Sequence, residues 1–158
     1  WYNYKIALYK NIKDFETYFI DEKDMDYAYY KFDNEKMKDG KIIVRSRKDG
    51  DRIFLKNLGH KKVKKILIDE KIMKWERDSV PIVEIEIDEV LSGPEAGNNE
   101  IIEIKNEKKC KKLKEILAVS DIKFSKFLEK ISNKDIENLE NSNKSKLLII
   151  GRKNGRKR

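Results

Sequence analysis

Three arginines, Arg45, Arg47 and Arg52, fall in one eight-residue stretch, and Arg77 follows further on. The chain holds 30 lysines and only 7 arginines, so arginine at these four places stands out from a lysine-rich background. A planar guanidinium grips a phosphate or a carboxylate with two parallel hydrogen bonds, which an ammonium cannot copy. The pattern therefore points to a geometric demand, either from RNA phosphates or from a carboxylate inside the fold. Lys61, Lys62, Lys64 and Lys65 follow at once and add a diffuse positive field.

The charge distribution has the same centre. Residues 41–80 carry 13 basic and 6 acidic groups, whereas residues 1–40 carry 7 and 9; the whole chain of 158 residues is formally +8. A basic block of this kind suits a phosphate-facing surface, although a solvated face of a lysine-rich protein reads the same way. Other chemistry is thin. His60 and Cys110 are each the sole residue of their type, which leaves no internal disulfide and no His-rich metal centre, and suits a reducing cytosol. Phosphate-loop, dinucleotide-fingerprint and nucleophile-elbow motifs are all missing. The acidic pairs Asp49/Asp51, Asp69/Glu70 and Glu76/Asp78 sit beside cations and read as salt-bridged carboxylates. No catalytic and no metal-ligating residues are therefore assigned. Trp75 and Tyr27, Tyr29 and Tyr30 could stack on bases, but for most of them core packing is the better reading. There is no 18-residue apolar stretch to span a membrane, and a start at Trp1 suggests a piece of a longer protein.

The elements that must hold these residues are short. Tyr4–Tyr9 and Tyr27–Phe32 read as strands, with Asp14–Phe19 as a helix or strand between them. A turn over Phe32–Met37 leads to the strand Lys41–Arg47, whose alternation puts Arg45 and Arg47 on one face. Asp49-Gly50-Asp51 marks a turn before the strand Ile53–Leu55. Asn57–His60 then opens a ten-residue helix, Lys61–Glu70, with Val63, Ile66 and Leu67 as its buried stripe. Its lysines would stand near a helix N-terminus, where an external phosphate offsets the unfavourable dipole. Ile72–Asp78 reads as a second helix stopped before Pro81. Ile82–Ile87 and Glu100–Ile104 suggest a hairpin with a wet, negative face, and Glu115–Val119 a further strand. Ser132–Asp135 resembles a capping box opening a short helix through Glu140. Lys146–Ile150 is a last strand before the basic tail. The fold class is α+β: a β-rich mixed sheet or sandwich-like core of short strands with two or three short helices.

The stretch from Val44 to Pro81 also carries a resemblance. It reads R-x-R-x-x-G-D-R, a glycine, K-K-hydrophobic-K, D-E-K-I, then R-D-x-x-P. These are Arg45, Arg47, Gly50, Asp51 and Arg52; Gly59; Lys61, Lys62 and Lys64; Asp69, Glu70, Lys71 and Ile72; and Arg77, Asp78 and Pro81. The pattern resembles the C-terminal domain of bacterial tRNA(Ile)-lysidine synthetase over residues 27–83 and 115–127. Phe54-Leu55 and Met73 stand where that family usually has proline. About thirty residues intervene before the Glu115–Val119 strand.

The resemblance implies a single β-rich tRNA-binding domain over 1–83 and 115–150, a hairpin insertion at 84–114 and a basic tail at 151–158. It implies a substrate-recognition role on the acceptor-stem side of isoleucine tRNA. A separate N-terminal domain, with ATP and magnesium, would attach lysine to the wobble cytidine; this chain alone would be no enzyme and hold no cofactor. Arg45, Arg47 and Arg52 would contact phosphates, Lys61, Lys62 and Lys64 would form an electrostatic funnel, and Gly59 would allow close backbone approach. Lys71 and Arg77 join the tRNA-binding set. Gly50, Asp51, Asp69, Asp78 and Pro81 are structural support, the aspartates holding arginines in place. The implied partners are tRNA and the catalytic domain, in the cytoplasm and away from membrane. The rival reading is a non-catalytic docking or dimerisation module, in which acidic 84–90 pairs with basic 41–80 of a second copy.

Overall fold

The run Leu147–Ile150 has no polar break, as expected of a strand covered on both faces. The computed structural model, which describes residues 3–32, 40–90, 102–105, 108–137 and 146–154, shows how it is covered. Four strands form one antiparallel sheet: β1 (Tyr4–Tyr9), β2 (Met25–Phe32), β10 (Leu128–Ile131) and β11 (Leu147–Lys153), in the order β1-β11-β2-β10. Leu147 and Ile149 pack outward with Tyr29, Ile131 and Ile136, and with Phe15 and Phe19. Leu148 and Ile150 point the other way and join Tyr30, Val83, Ile85 and Leu117. Period-two alternation thus serves two cores at once.

The outer core is closed by α1 (Ile12–Tyr18) and α3 (Asn133–Glu137), each with a side-chain cap. Asn11 accepts from the Asp14 amide at 2.9 Å, which settles the ambiguous Asp14–Phe19 region as helix. Ser132 and Asp135 exchange reciprocal side-chain bonds, the expected capping box, with aspartate in the third position. Tyr30 is fully buried between the sheets, and burial pushes its hydroxyl pKa up to about 12. The core reading of the three tyrosines therefore holds.

The second sheet contains β3 (Lys41–Arg45), β4 (Arg52–Leu55), β5 (Gly59–Lys62), β6 (Ile82–Val90), β7 (Ile102–Lys105), β8 (Lys108–Val119) and β9 (Lys123–Phe124). Its main path runs β3-β6-β8-β4-β5, with β7 and β9 pairing to β8. On its far face lies α2 (Val63–Asp69), whose Val63, Ile66 and Leu67 bury against Ile53, Leu55, Ile82, Ile116 and Val119. The spacing i, i+3, i+4 is the expected stripe. A 3₁₀ turn, Lys74–Ser79, leads into buried Pro81, whose carbonyl accepts from Ser120 at 2.9 Å.

Three expectations are corrected. The ten-residue helix begins at Val63 rather than Lys61, because residues 59–62 pair with β4 instead. Asn57 (φ 66°) and Gly59 (φ 72°) turn the chain back, and the Val63 amide bonds the Asp51 carbonyl at 2.9 Å. The dipole argument therefore loses Lys61 and Lys62. Second, Ile82–Ile87 does not pair with Glu100–Ile104: β6 and β7 both pair with β8, which is one twelve-residue strand. Third, Gly151–Lys153 belong to β11 and not to a tail. Trp75, unlike the three tyrosines, is 75% exposed and takes no part in the core. The Phe32–Met37 turn beyond Phe32, the 91–101 loop and residues 155–158 lie outside the described residues.

Candidate nucleic-acid interface

Arg45 ends β3 opposite Ile82 of β6, and its guanidinium turns inward. Both terminal nitrogens bond the Asp51 carboxylate, at 2.8 and 2.9 Å, and one also reaches Glu84 Oε2 at 2.9 Å. The three side chains are only 11–14% exposed. Asp51 also accepts from the Lys48 amide at 2.7 Å, so one carboxylate ties the β3–β4 turn, the Arg45 fork and, through its carbonyl, the start of α2. Burial alone would raise the Asp51 pKa, but the Arg45 and Lys48 hydrogen bonds outweigh it and hold the carboxyl below its ordinary range. The hydrogen bonds to Asp51 and then Glu84 push the Arg45 guanidinium further up, against its own desolvation. Arg45 is therefore an internal fork, and the expectation of an outward phosphate contact at this position is corrected. Glu84, read as part of a wet face, is its buried partner.

Arg47 is also turned toward protein. Its Nε lies 3.1 Å from an Asp78 oxygen, yet that buried N–H makes no hydrogen bond, and Asp78 itself is 76% exposed. Arg77 donates from Nε to the Ile72 carbonyl at 3.1 Å and braces the turn before the 3₁₀ segment. Lys61 reaches across to Asp69 at 3.0 Å, and Lys65 approaches the same carboxylate at 3.6 Å. The Lys61 hydrogen bond holds the Asp69 carboxyl low. Asp69 thus serves lysines rather than an arginine, while Asp51 and Asp78 stand beside arginines as expected. Lys64 and Lys71 are exposed, Lys71 at a positive φ of 58°. Gly50 and Gly59 both occupy the left-handed region, with open space where a Cβ would project.

The outward cations gather elsewhere, on the β4–β5 hairpin. Its register pairs Arg52 with Lys62 and Phe54 with His60. Ile53 and Leu55 point into the core, so alternation puts Arg52, Phe54, His60 and Lys62 on the opposite face. Arg52 and Lys62 are both exposed, and among the described residues neither has a carboxylate partner. Like charges directly opposite each other in a sheet repel. Beside them the Phe54 and His60 rings lie 4.3 Å apart at 52°. The Lys126 ammonium sits 3.7 Å from the Phe54 centroid, and the Lys126 backbone N–H donates a hydrogen bond to the Phe54 carbonyl at 2.8 Å. Phe54 and Lys126 carry no sequence expectation, and His60, expected at a loop-to-helix junction where it could contact a phosphate or base edge but is better read as a cap or an exposed residue, lies on a strand instead. The signal available was alternation: R-I-F and H-K-K around Asn57-Leu58-Gly59 read as a hairpin once 59–62 is a strand.

Elsewhere, Ile68, Met73 and Trp75 are exposed apolar side chains around α2 and the 3₁₀ turn. No group of three or more His, Cys, Asp or Glu among the described residues could hold a metal ion, and no described helix is long and apolar enough to cross a membrane.

The chain is thus a β-rich α+β module with a buried arginine clamp and a hairpin face whose two opposed cations have no carboxylate partner among the described residues. Comparison with known proteins shows what part of the chain is similar to. Residues 42–92 match the model of the TilS substrate C-terminal domain. The tRNA(Ile)-lysidine synthase of Caldanaerobacter subterraneus is 42% identical over 86 residues, 51% of this chain and 18% of that protein. Those of Clostridioides difficile and Bacillus subtilis are 50% identical over 52 residues and 56% over 43, covering 33% and 27% of this chain and 11% and 9% of theirs. The chain thus spans less than a fifth of the length of these curated relatives. The fold is that of a TilS C-terminal domain crystal structure, with a TM-score of 0.50 at 20% identity, over 97% of this chain and 86% of that one. Over residues 42–92 the chain is similar to the C-terminal domain of the tRNA(Ile)-lysidine synthases, and its fold is of that kind.

Proposed function

We propose that this domain grips the acceptor-stem side of isoleucine tRNA for a parent enzyme that attaches lysine to the wobble cytidine. The attachment, with its ATP and magnesium, is assigned to a separate N-terminal domain, and no catalytic role is assigned to this chain. The setting is cytoplasmic. The observation that carries the reading is the Arg52/Lys62 pair: two exposed cations facing each other with no carboxylate partner among the described residues. A phosphate placed there converts a repulsion into two charge-assisted contacts. A-form RNA suits such a surface, because its deep major groove hides base edges and recognition falls on shape and phosphates. Lys64 and Lys71 extend the positive field, while Lys61, Arg47 and Arg77 contribute it from partly engaged positions. Arg45 acts through Asp51 by holding the β3–β4 turn from which Arg52 emerges.

A salt titration of tRNA binding tests this. Affinity should fall linearly on a log–log plot by roughly 0.7 to 0.9 per phosphate contact, and Arg52→Ala or Lys62→Ala should each flatten the slope by about one contact. A salt-independent affinity, or none at low salt, overturns it.

A docking role has its own observation, the exposed Ile68, Met73 and Trp75. Its natural partner is the catalytic part of the same protein, and binding through it would be indifferent to salt. A dimer that pairs acidic 84–90 with basic 41–80 is less favoured, since Glu84 is bound to Arg45 and Glu86 lies 3.6 and 3.9 Å from Lys112 and Lys114.

A further inference from the structure

We propose that the β4–β5 hairpin face takes an unpaired nucleotide, its phosphate between Arg52 and Lys62 and its base against the imidazole of His60. This rests on the tRNA-binding reading and adds a single-stranded element to it. The hairpin holds two cross-strand pairs two residues apart, one cationic and one aromatic. Residues i and i+2 of a strand stand about 7 Å apart on one face, a distance that one nucleotide of a stretched strand covers from phosphate to base.

The rings divide their work. Phe54 is spoken for, with Lys126 over its ring at 3.7 Å and His60 against it at 4.3 Å. It is therefore a positioning residue that fixes the imidazole. His60 is exposed and keeps its outer side toward solvent. A ring braced from behind, with cations beside it, is a stacking platform of the kind that accepts bases regardless of sequence. A base inside a duplex has both faces covered by its neighbours, so only an unpaired base, beside a helix or beyond its end, can use it.

The test uses the whole chain and three RNA probes: a blunt duplex, the same duplex with a four-nucleotide single-stranded 3′ extension, and that extension made abasic. The base-bearing extension should bind about 5-fold tighter or more than the blunt duplex, the low end of one base–aromatic stack. The abasic extension should give no such gain. His60→Ala should abolish the gain and His60→Phe should keep it, with circular dichroism confirming that both variants fold. Equal affinity for blunt and extended duplexes, an equal gain from the abasic probe, or a gain that survives His60→Ala overturns this proposal and leaves duplex binding standing. Failure of all three probes to bind overturns the tRNA-binding reading itself.

Discussion

Arg45 holds Asp51 with both terminal guanidinium nitrogens, at 2.8 and 2.9 Å, across a turn of only six residues. Glu84 then closes the other side at 2.9 Å from 39 residues away. Removing the cation would strand two carboxylates in a low-dielectric setting. Arg45→Met should therefore cost about 3–5 kcal/mol, and Arg45→Lys should recover only part, because an ammonium cannot span the same fork. Chemical denaturation of each variant measures this; a loss within 0.5 kcal/mol, roughly that of an ordinary surface change, contradicts the clamp.

The same pair sets an acid limit. The folded Asp51 carboxyl is held below its ordinary value of 3.8, so on acidification the unfolded chain takes up this proton first. The stabilisation is complete above about pH 5 and fades as pH falls through 4 and below. Melting temperatures from pH 6 to 2.5 should fall more gently in Asp51→Asn than in the parent chain, which starts higher. Parallel curves would remove the Asp51 contribution.

Arg52 and Lys62 should behave oppositely in stability and in binding. Replacing Arg52 with glutamate turns a repulsive cross-strand pair into an attractive one, worth roughly 0.2–1 kcal/mol. Arg52→Glu should melt at or above the parent temperature while its RNA affinity drops at least tenfold, as expected from inverting a phosphate-contacting charge. Thermal melts and a binding isotherm on one sample check both. A variant that loses stability, or one that binds normally, sinks the assignment.

Gly59 tests backbone against contact. Its φ of 72° penalises any side chain, and a Cβ there would meet nothing within 4 Å. Gly59→Ala should cost about 1–2 kcal/mol from conformation alone, and Gly59→Asn less, because asparagine tolerates this region. If RNA approaches this backbone closely, the asparagine variant will lose affinity beyond its stability loss. Unchanged binding by a stable Asn variant rejects the close approach.

Apolar runs and caps were legible because they act locally. Leu147–Ile150, the α2 stripe and the Ser132 cap depend on residues within a turn or a strand of one another. Two further features were legible in the sequence: a basic block holding four of the seven arginines, and the motif from Arg45 to Pro81. Long-range pairing decided the rest. Lys61 and Lys62 fit a helix until β4 offers them a strand partner, and that register brings His60 to Phe54.

Tertiary structure also separated arginines that composition could not tell apart. Arg45 meets Glu84 because β3 pairs with β6, whereas Arg52, seven residues on, faces Lys62 and water. Sequence determined that the chain carries cations able to grip an anion; only the assembled sheet decided which of them had already found one inside, because a guanidinium takes the carboxylate that the fold brings within 3 Å and the others are left for solvent or ligand.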